Sequence, residues 1–73
     1  MDTPELTRFL GQRIRQLRME KRITLERLAW EAGDEGEDSG LTKGYLSKIE
    51  QGEQLPSMDV QRRLAGRLEV EVF

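Results

Sequence analysis

The chain has 73 residues, no cysteine, no histidine, and a net charge of −2 from 12 Lys and Arg against 14 Asp and Glu. That length allows one domain over residues 1–73 with a small core, and the missing thiols and imidazoles exclude a disulfide framework and the usual zinc sites. No apolar run approaches the roughly 20 residues that cross a bilayer, and MDTPELTRFL is too acidic and polar for a secretory signal, so a soluble, cytoplasmic chain without a membrane partner is expected.

In chain order, Leu6, Leu10, Ile14 and Leu17 fall on one stripe of a helix, with Thr3 as its cap and Pro4 as its first residue, ending near Lys21. Thr24 can cap a second helix in which Leu25, Leu28, Ala29 and Ala32 share a face before Gly33 stops it. DEGEDSG, residues 34–40, has no periodicity and four like charges, and reads as a surface loop. Periodicity resumes at Leu41. Thr42 caps a third helix with Leu46 and Ile49 inward, ending at Gln51 and Gly52. Ser57 caps a fourth whose inward positions include Met58, Leu64, Ala65 and Leu68. The terminal VEVF alternates like a strand, but Val70, Val72 and Phe73 fit a further helix or packing on the core better. The expected fold is all-α, a bundle of four or five helices.

Net charge argues against a phosphate-rich partner, since such binding draws on counterion release. Charge on this chain is segregated, however. Glu31, Asp34, Glu35, Glu37 and Asp38 supply five of the fourteen acids within ten residues; without them, twelve bases face nine acids. The bases concentrate in Arg8, Arg13, Arg15, Arg18, Lys21, Arg22 and Arg27.

On the third helix, Thr42, Leu46 and Ile49 cluster, while Lys43, Gly44, Ser47 and Lys48 occupy the opposite half. A small, polar, cationic face suits a helix entering a DNA major groove, where Lys donates to guanine and glycine permits close approach. An ordinary solvated face has the same composition.

LGQRIRQLRMEKRITLERLAWEAG followed by LTKGYLSKIEQGEQLPSMDVQRRLAGRLEV resembles the helix-turn-helix domain of the Cro and phage-repressor type, the XRE family. IRQLR, TLERLAWEAG, YLSKIEQG and LPS stand in that family's order from about Leu6 onward. The resemblance implies a sequence-specific DNA-binding domain of a transcriptional regulator, a repressor by type, with the recognition helix 42–50 in the major groove and double-stranded DNA as partner. It implies base contacts from Lys43, Gly44, Ser47 and Lys48, and backbone contacts from Thr24, Thr42, Tyr45 and Gln51. It also implies a structural ion pair between Arg18 and Glu50, no catalysis and no cofactor. Relatives commonly bind as homodimers; here the chain stops at Phe73, where they often continue into a fifth helix, which leaves two expectations, a fragment of a longer protein or a chain that dimerises through its exposed C-terminal apolar residues.

Two departures stand out. Leu25 occupies a position where relatives carry a polar residue for a phosphate. The acidic segment 34–40 is an insertion in the turn between the two motif helices, and removing its seven residues restores the usual spacing. Loop growth adds only about 0.6 kcal/mol per doubling, so the insertion is expected to decorate the motif rather than abolish it. Its acids would weaken non-specific DNA binding, or need neutralising by a partner. They do not form an EF-hand: counted from Asp34, the third position is Gly36 and the twelfth Tyr45, so no metal is expected.

Trp30 lies about 140° from Leu25 on the polar side of the second helix, which marks either a contact surface or a ring covered by arginine stems or the inserted loop. The rival to DNA binding is therefore a protein-interaction module on the same fold, with its groove-facing side masked by the acidic loop and a protein partner held at that loop or at Trp30. Steep salt dependence with preference for one duplex separates the two. A membrane-surface role for the basic first helix conflicts with the need for Leu10, Ile14 and Leu17 in a core this small.

Overall fold

A computed structural model describes residues 3–33 and 41–70. These form four helices, α1 (Thr3–Glu20), α2 (Leu25–Ala32), α3 (Lys43–Glu50) and α4 (Met58–Arg67), with no strand among the described residues. The fold is all-α, as the periodicity predicts.

Three of the four helices start on the hydroxyl foreseen for them. Thr24 accepts from Arg27 N at 3.1 Å, Thr42 from Tyr45 N at 3.1 Å and Ser57 from Val60 N at 3.2 Å. Each bond satisfies a backbone donor that the first helical turn leaves without a partner. Thr3, expected as a cap, instead lies inside α1, and its carbonyl accepts from the Thr7 hydroxyl at 2.7 Å.

α1, α3 and α4 end alike. Beyond each, one residue turns left-handed and two backbone bonds close the end: Ile23 N to Arg18 O (3.1 Å) with Arg22 N to Met19 O, Glu53 N to Lys48 O (2.9 Å) with Gly52 N to Ile49 O, and Val70 N to Ala65 O (3.0 Å) with Glu69 N to Gly66 O. The left-handed residues are Arg22, Gly52 and Glu69, and only one of these is glycine. Gly33 ends α2 differently. Its φ of −78° and ψ of 164° are extended, so here glycine stops a helix without using its special freedom.

Ile14, Leu28, Leu46, Ile49, Leu64 and Leu68 are fully buried at the centre, each stabilising by about 1.5–3 kcal/mol relative to exposure. Two inward positions are corrected. Leu6 is exposed because it stands on the first turns of α1; Thr7 is buried in its place. Met58 is also exposed: it is the first residue of α4, and although Ala65, about 20° from it around the helix, is buried, that face is not covered as far back as the first turn. Val70 packs against the core, whereas Val72 and Phe73 lie outside the described residues.

α3 packs on both α1 and α2, and α4 packs on α2. The α1–α3 crossing is close at Gly11, where a Cβ would overlap the carbonyl oxygen of Ile49 and stand 3.0 Å from that of Glu50. One helix thus rests on the backbone of the other, which fixes how α3 is presented.

Candidate nucleic-acid interface

α3 turns Leu46 and Ile49 into the core, and its outward side follows from that anchoring. Lys43, Gly44 and Lys48 are exposed, and beyond Gly44 a Cβ would meet nothing nearer than the Thr42 hydroxyl at 4.0 Å. Ser47 is half-buried, and its hydroxyl accepts from Gln51 Nε2 at 2.9 Å. The outward side is therefore two lysines separated by a bare stretch of backbone, with the Ser47–Gln51 pair along one edge.

Lys43 is the first residue of α3, whose first turn contains no acid. A helix N-terminus carries partial positive charge, so a cation there costs about 0.3–1 kcal/mol. Lys48 sits in the last turn, where the helix dipole welcomes it. The two lysines, five residues and so about 140° apart around α3, flank Gly44 and Ser47, and helix stability does not explain the first.

The backbone-contact candidates fall into two groups. Thr24 and Thr42 are exposed at the starts of α2 and α3; each accepts one backbone N–H and keeps its own hydroxyl proton to donate. Gln51 is exposed just past α3, and Tyr45 is half-buried with its body against the core. Leu25 also packs there, contributing apolar surface where the resemblance implies a polar contact.

Arg18 and Glu50 face each other across the α1–α3 junction. Arg18 Nε donates to Glu50 Oε2 at 2.7 Å, Nη2 to Oε1 at 3.0 Å, and Nη1 to the Ile23 carbonyl at 2.8 Å. Side-chain exposure is 14% for Arg18 and 5% for Glu50. The fork is satisfied at all three nitrogens, so this cation is committed to structure.

A second cluster joins α2 to α4. Glu31 accepts from Arg27 Nε at 2.7 Å and from Arg67 Nε. The Arg67 hydrogen bond, then that of Arg27, holds the Glu31 carboxyl at about 2. Glu31, one of the five acids counted within residues 31–40, is thus answered by two guanidiniums from outside that stretch. Arg67 is raised by the same bond.

Trp30 is 84% exposed, so arginine stems do not cover it. It borders a concavity of about 850 Å³ between α2 and the start of α3, shared with Thr24, Arg27, Thr42 and Lys43. The acidic segment 34–40 lies outside the described residues. No group of acidic side chains suited to a metal ion occurs among the described residues, and none of their helices is long and apolar enough to cross a membrane.

Gly11 is the positioning residue that sequence reading overlooked. A glycine beside Leu10 and three before Ile14, on the inward side of an otherwise strong helix, was the available signal. The Glu31–Arg67 link carried no such signal, since its partners lie 36 residues apart.

The family model of the helix-turn-helix domain matches residues 10–72. No curated protein and no solved structure gives a match.

Proposed function

The chain belongs to the helix-turn-helix domain family, and from that membership we propose that it is a sequence-specific DNA-binding domain of a transcriptional regulator, a repressor of the Cro and phage-repressor type. α3 enters the major groove. Lys43, Gly44, Ser47 and Lys48 meet base edges, while Thr24, Thr42, Tyr45 and Gln51 hold phosphates. The observation that carries this reading is the open Lys43–Gly44–Lys48 face, backed by two residues locked in the core and including a cation that its own helix disfavours. The domain acts without cofactor or catalysis, in the cytoplasm, as a homodimer on two half-sites.

Selection of bound sequences from a random duplex pool tests this directly. Enrichment of one motif, repeated at a spacing of about 10–10.5 base pairs, is expected; a pool that stays random overturns the reading. Lys43→Ala should weaken binding to the selected duplex without lowering thermal stability. Deleting residues 34–40 should raise non-specific affinity, because it removes four acids that repel phosphates.

The exposed indole of Trp30 favours a second reading, a protein partner seated on α2. Failure to bind any duplex at low salt, with a Trp30 fluorescence change on adding a cellular partner, would select it.

A further inference from the structure

We infer that Arg15, on α1, is a DNA-backbone contact that works with Gln51 and makes up for the polar group missing at Leu25. The inference rests on the DNA-binding reading above and adds a residue from outside the two motif helices.

Gly11, Arg15 and Arg18 follow one another along α1 at spacings of four and three, so they share one flank of the helix. The outer two are fixed on α3, Gly11 against the Ile49 and Glu50 carbonyls and Arg18 on the Glu50 carboxylate. Arg15, between them and farther toward solvent, is held beside α3 by both neighbours. There it lines a depression of about 270 Å³ with Arg18, Leu25, Ser47, Glu50 and Gln51.

The charges in that depression are not equivalent. Arg18 and Glu50 cancel, and three of the five N–H donors of Arg18 go to Glu50 and the Ile23 carbonyl. Arg15 is exposed and makes no ion pair among the described residues, which leaves it the uncompensated cation of the depression. Ser47 and Gln51 supply polar atoms on the α3 wall, already paired with each other at 2.9 Å. Leu25 supplies none. A guanidinium opposite an amide suits a phosphate diester: the cation takes the anionic oxygens, and the amide proton that Gln51 does not spend on Ser47 adds geometry. A base edge would need donors placed on α3's outward side, where Lys43 and Lys48 already stand. Arg15 therefore sets register and affinity, leaving sequence preference to α3.

The test is the salt dependence of binding to random-sequence duplex DNA by the full chain, for wild type, Arg15→Gln, Arg15→Lys and Arg62→Gln. Arg62, exposed on α4, controls for loss of one charge. Removing one phosphate contact should flatten the slope of log affinity against log salt by about 0.9 and weaken binding roughly 3- to 10-fold near physiological salt. Arg15→Lys should restore the slope, and Arg62→Gln should retain it. On the duplex obtained by selection, Arg15→Gln should leave the ranking of single-base variants unchanged. Wild-type binding with an unchanged Arg15→Gln slope overturns the Arg15 contact alone. Absence of wild-type binding at low salt overturns the DNA reading, and this contact with it.

Discussion

The α1–α3 junction is closed by bare backbone at Gly11 and by a nearly buried ion pair, Arg18 with Glu50. The α2–α4 junction is closed by Glu31 between Arg27 and Arg67, with side-chain exposures of 22%, 72% and 31%. Both clusters pair a carboxylate with guanidinium, yet they have different physical consequences. In the first, exposures of 14% and 5% give water little access to a stranded partner, so the pair acts as a rivet whose value is seen when it is broken. In the second, water reaches every member, and the bonds tune protonation more than they resist unfolding. The rivet lies behind the helix that presents Lys43 and Lys48. Rigidity is concentrated where the candidate interface needs a fixed platform.

The sharpest way to break this contrast is Arg18→Ala. It strands Glu50 at the junction and should cost about 3–5 kcal/mol, measured by denaturant unfolding. The matching Arg67→Ala on the other seam should cost clearly less, because water can solvate the Glu31 carboxylate left behind. Equal losses would mean that exposure does not separate the two clusters.

Gly11→Ala comes next. The added methyl meets carbonyl oxygens of Ile49 and Glu50, which are backbone atoms and cannot swing aside, so α1 and α3 must part. A loss of about 1–3 kcal/mol is expected, with weaker DNA binding beyond what stability explains, because α3 tilts. Gly66→Ala supplies the control: it has the same chemistry inside α4, where a Cβ would find nothing within 4 Å. It should stabilise by about 0.5–1 kcal/mol through helix propensity.

How much of this could be seen in the chain itself depends on the range of the interaction. The caps at Thr24, Thr42 and Ser57 were legible because each bonds a backbone N–H three residues on. The outward side of α3 followed from Leu46 and Ile49 by helical geometry alone. Leu6 and Met58 misled for one reason: periodicity names a face but not where the neighbouring helix ends, and both sit on first turns. The partner of Glu31 on α4 escaped for another, since proximity in sequence to four acids said nothing of Arg67. Arg18 with Glu50, 32 residues apart, was equally invisible to local patterning and was reached through family resemblance.

Acid separates the seams in a different way. The Glu31 carboxyl, held at about 2 against an ordinary 4.5, contributes stability that is complete above pH about 4.5 and is lost as pH falls toward 2. Glu69, lowered by its bond to Lys21, loses its contribution in the same direction. Thermal unfolding of Glu31→Gln beside wild type should therefore show a gap that is widest above pH about 4.5 and closes toward pH 2. A gap that widens in acid would reverse the sign and remove Glu31 as the source.

The smallest effect concerns the helix ends that flank the two seams. α3 ends on Gly52 at φ 79°, a conformation natural to glycine, whereas α1 ends on Arg22 at φ 57° and α4 on Glu69 at φ 60°. A side chain in that region carries a cost that glycine avoids, partly offset by the greater freedom of glycine in the unfolded chain. Glu69 has a reason to remain, since it bonds Lys21 at 2.7 Å and ties the end of α4 to the end of α1. Arg22 is exposed and forms no ion pair among the described residues. Arg22→Gly should therefore stabilise by up to about 1 kcal/mol, whereas Glu69→Gly should gain less because it also breaks the bridge. Gly52→Ala should move the other way, because Arg8 Cγ would lie 2.6 Å from the new methyl and the backbone would be strained as well. A destabilising Arg22→Gly would mean that the arginine holds the end of α1 through a contact stronger than its backbone strain.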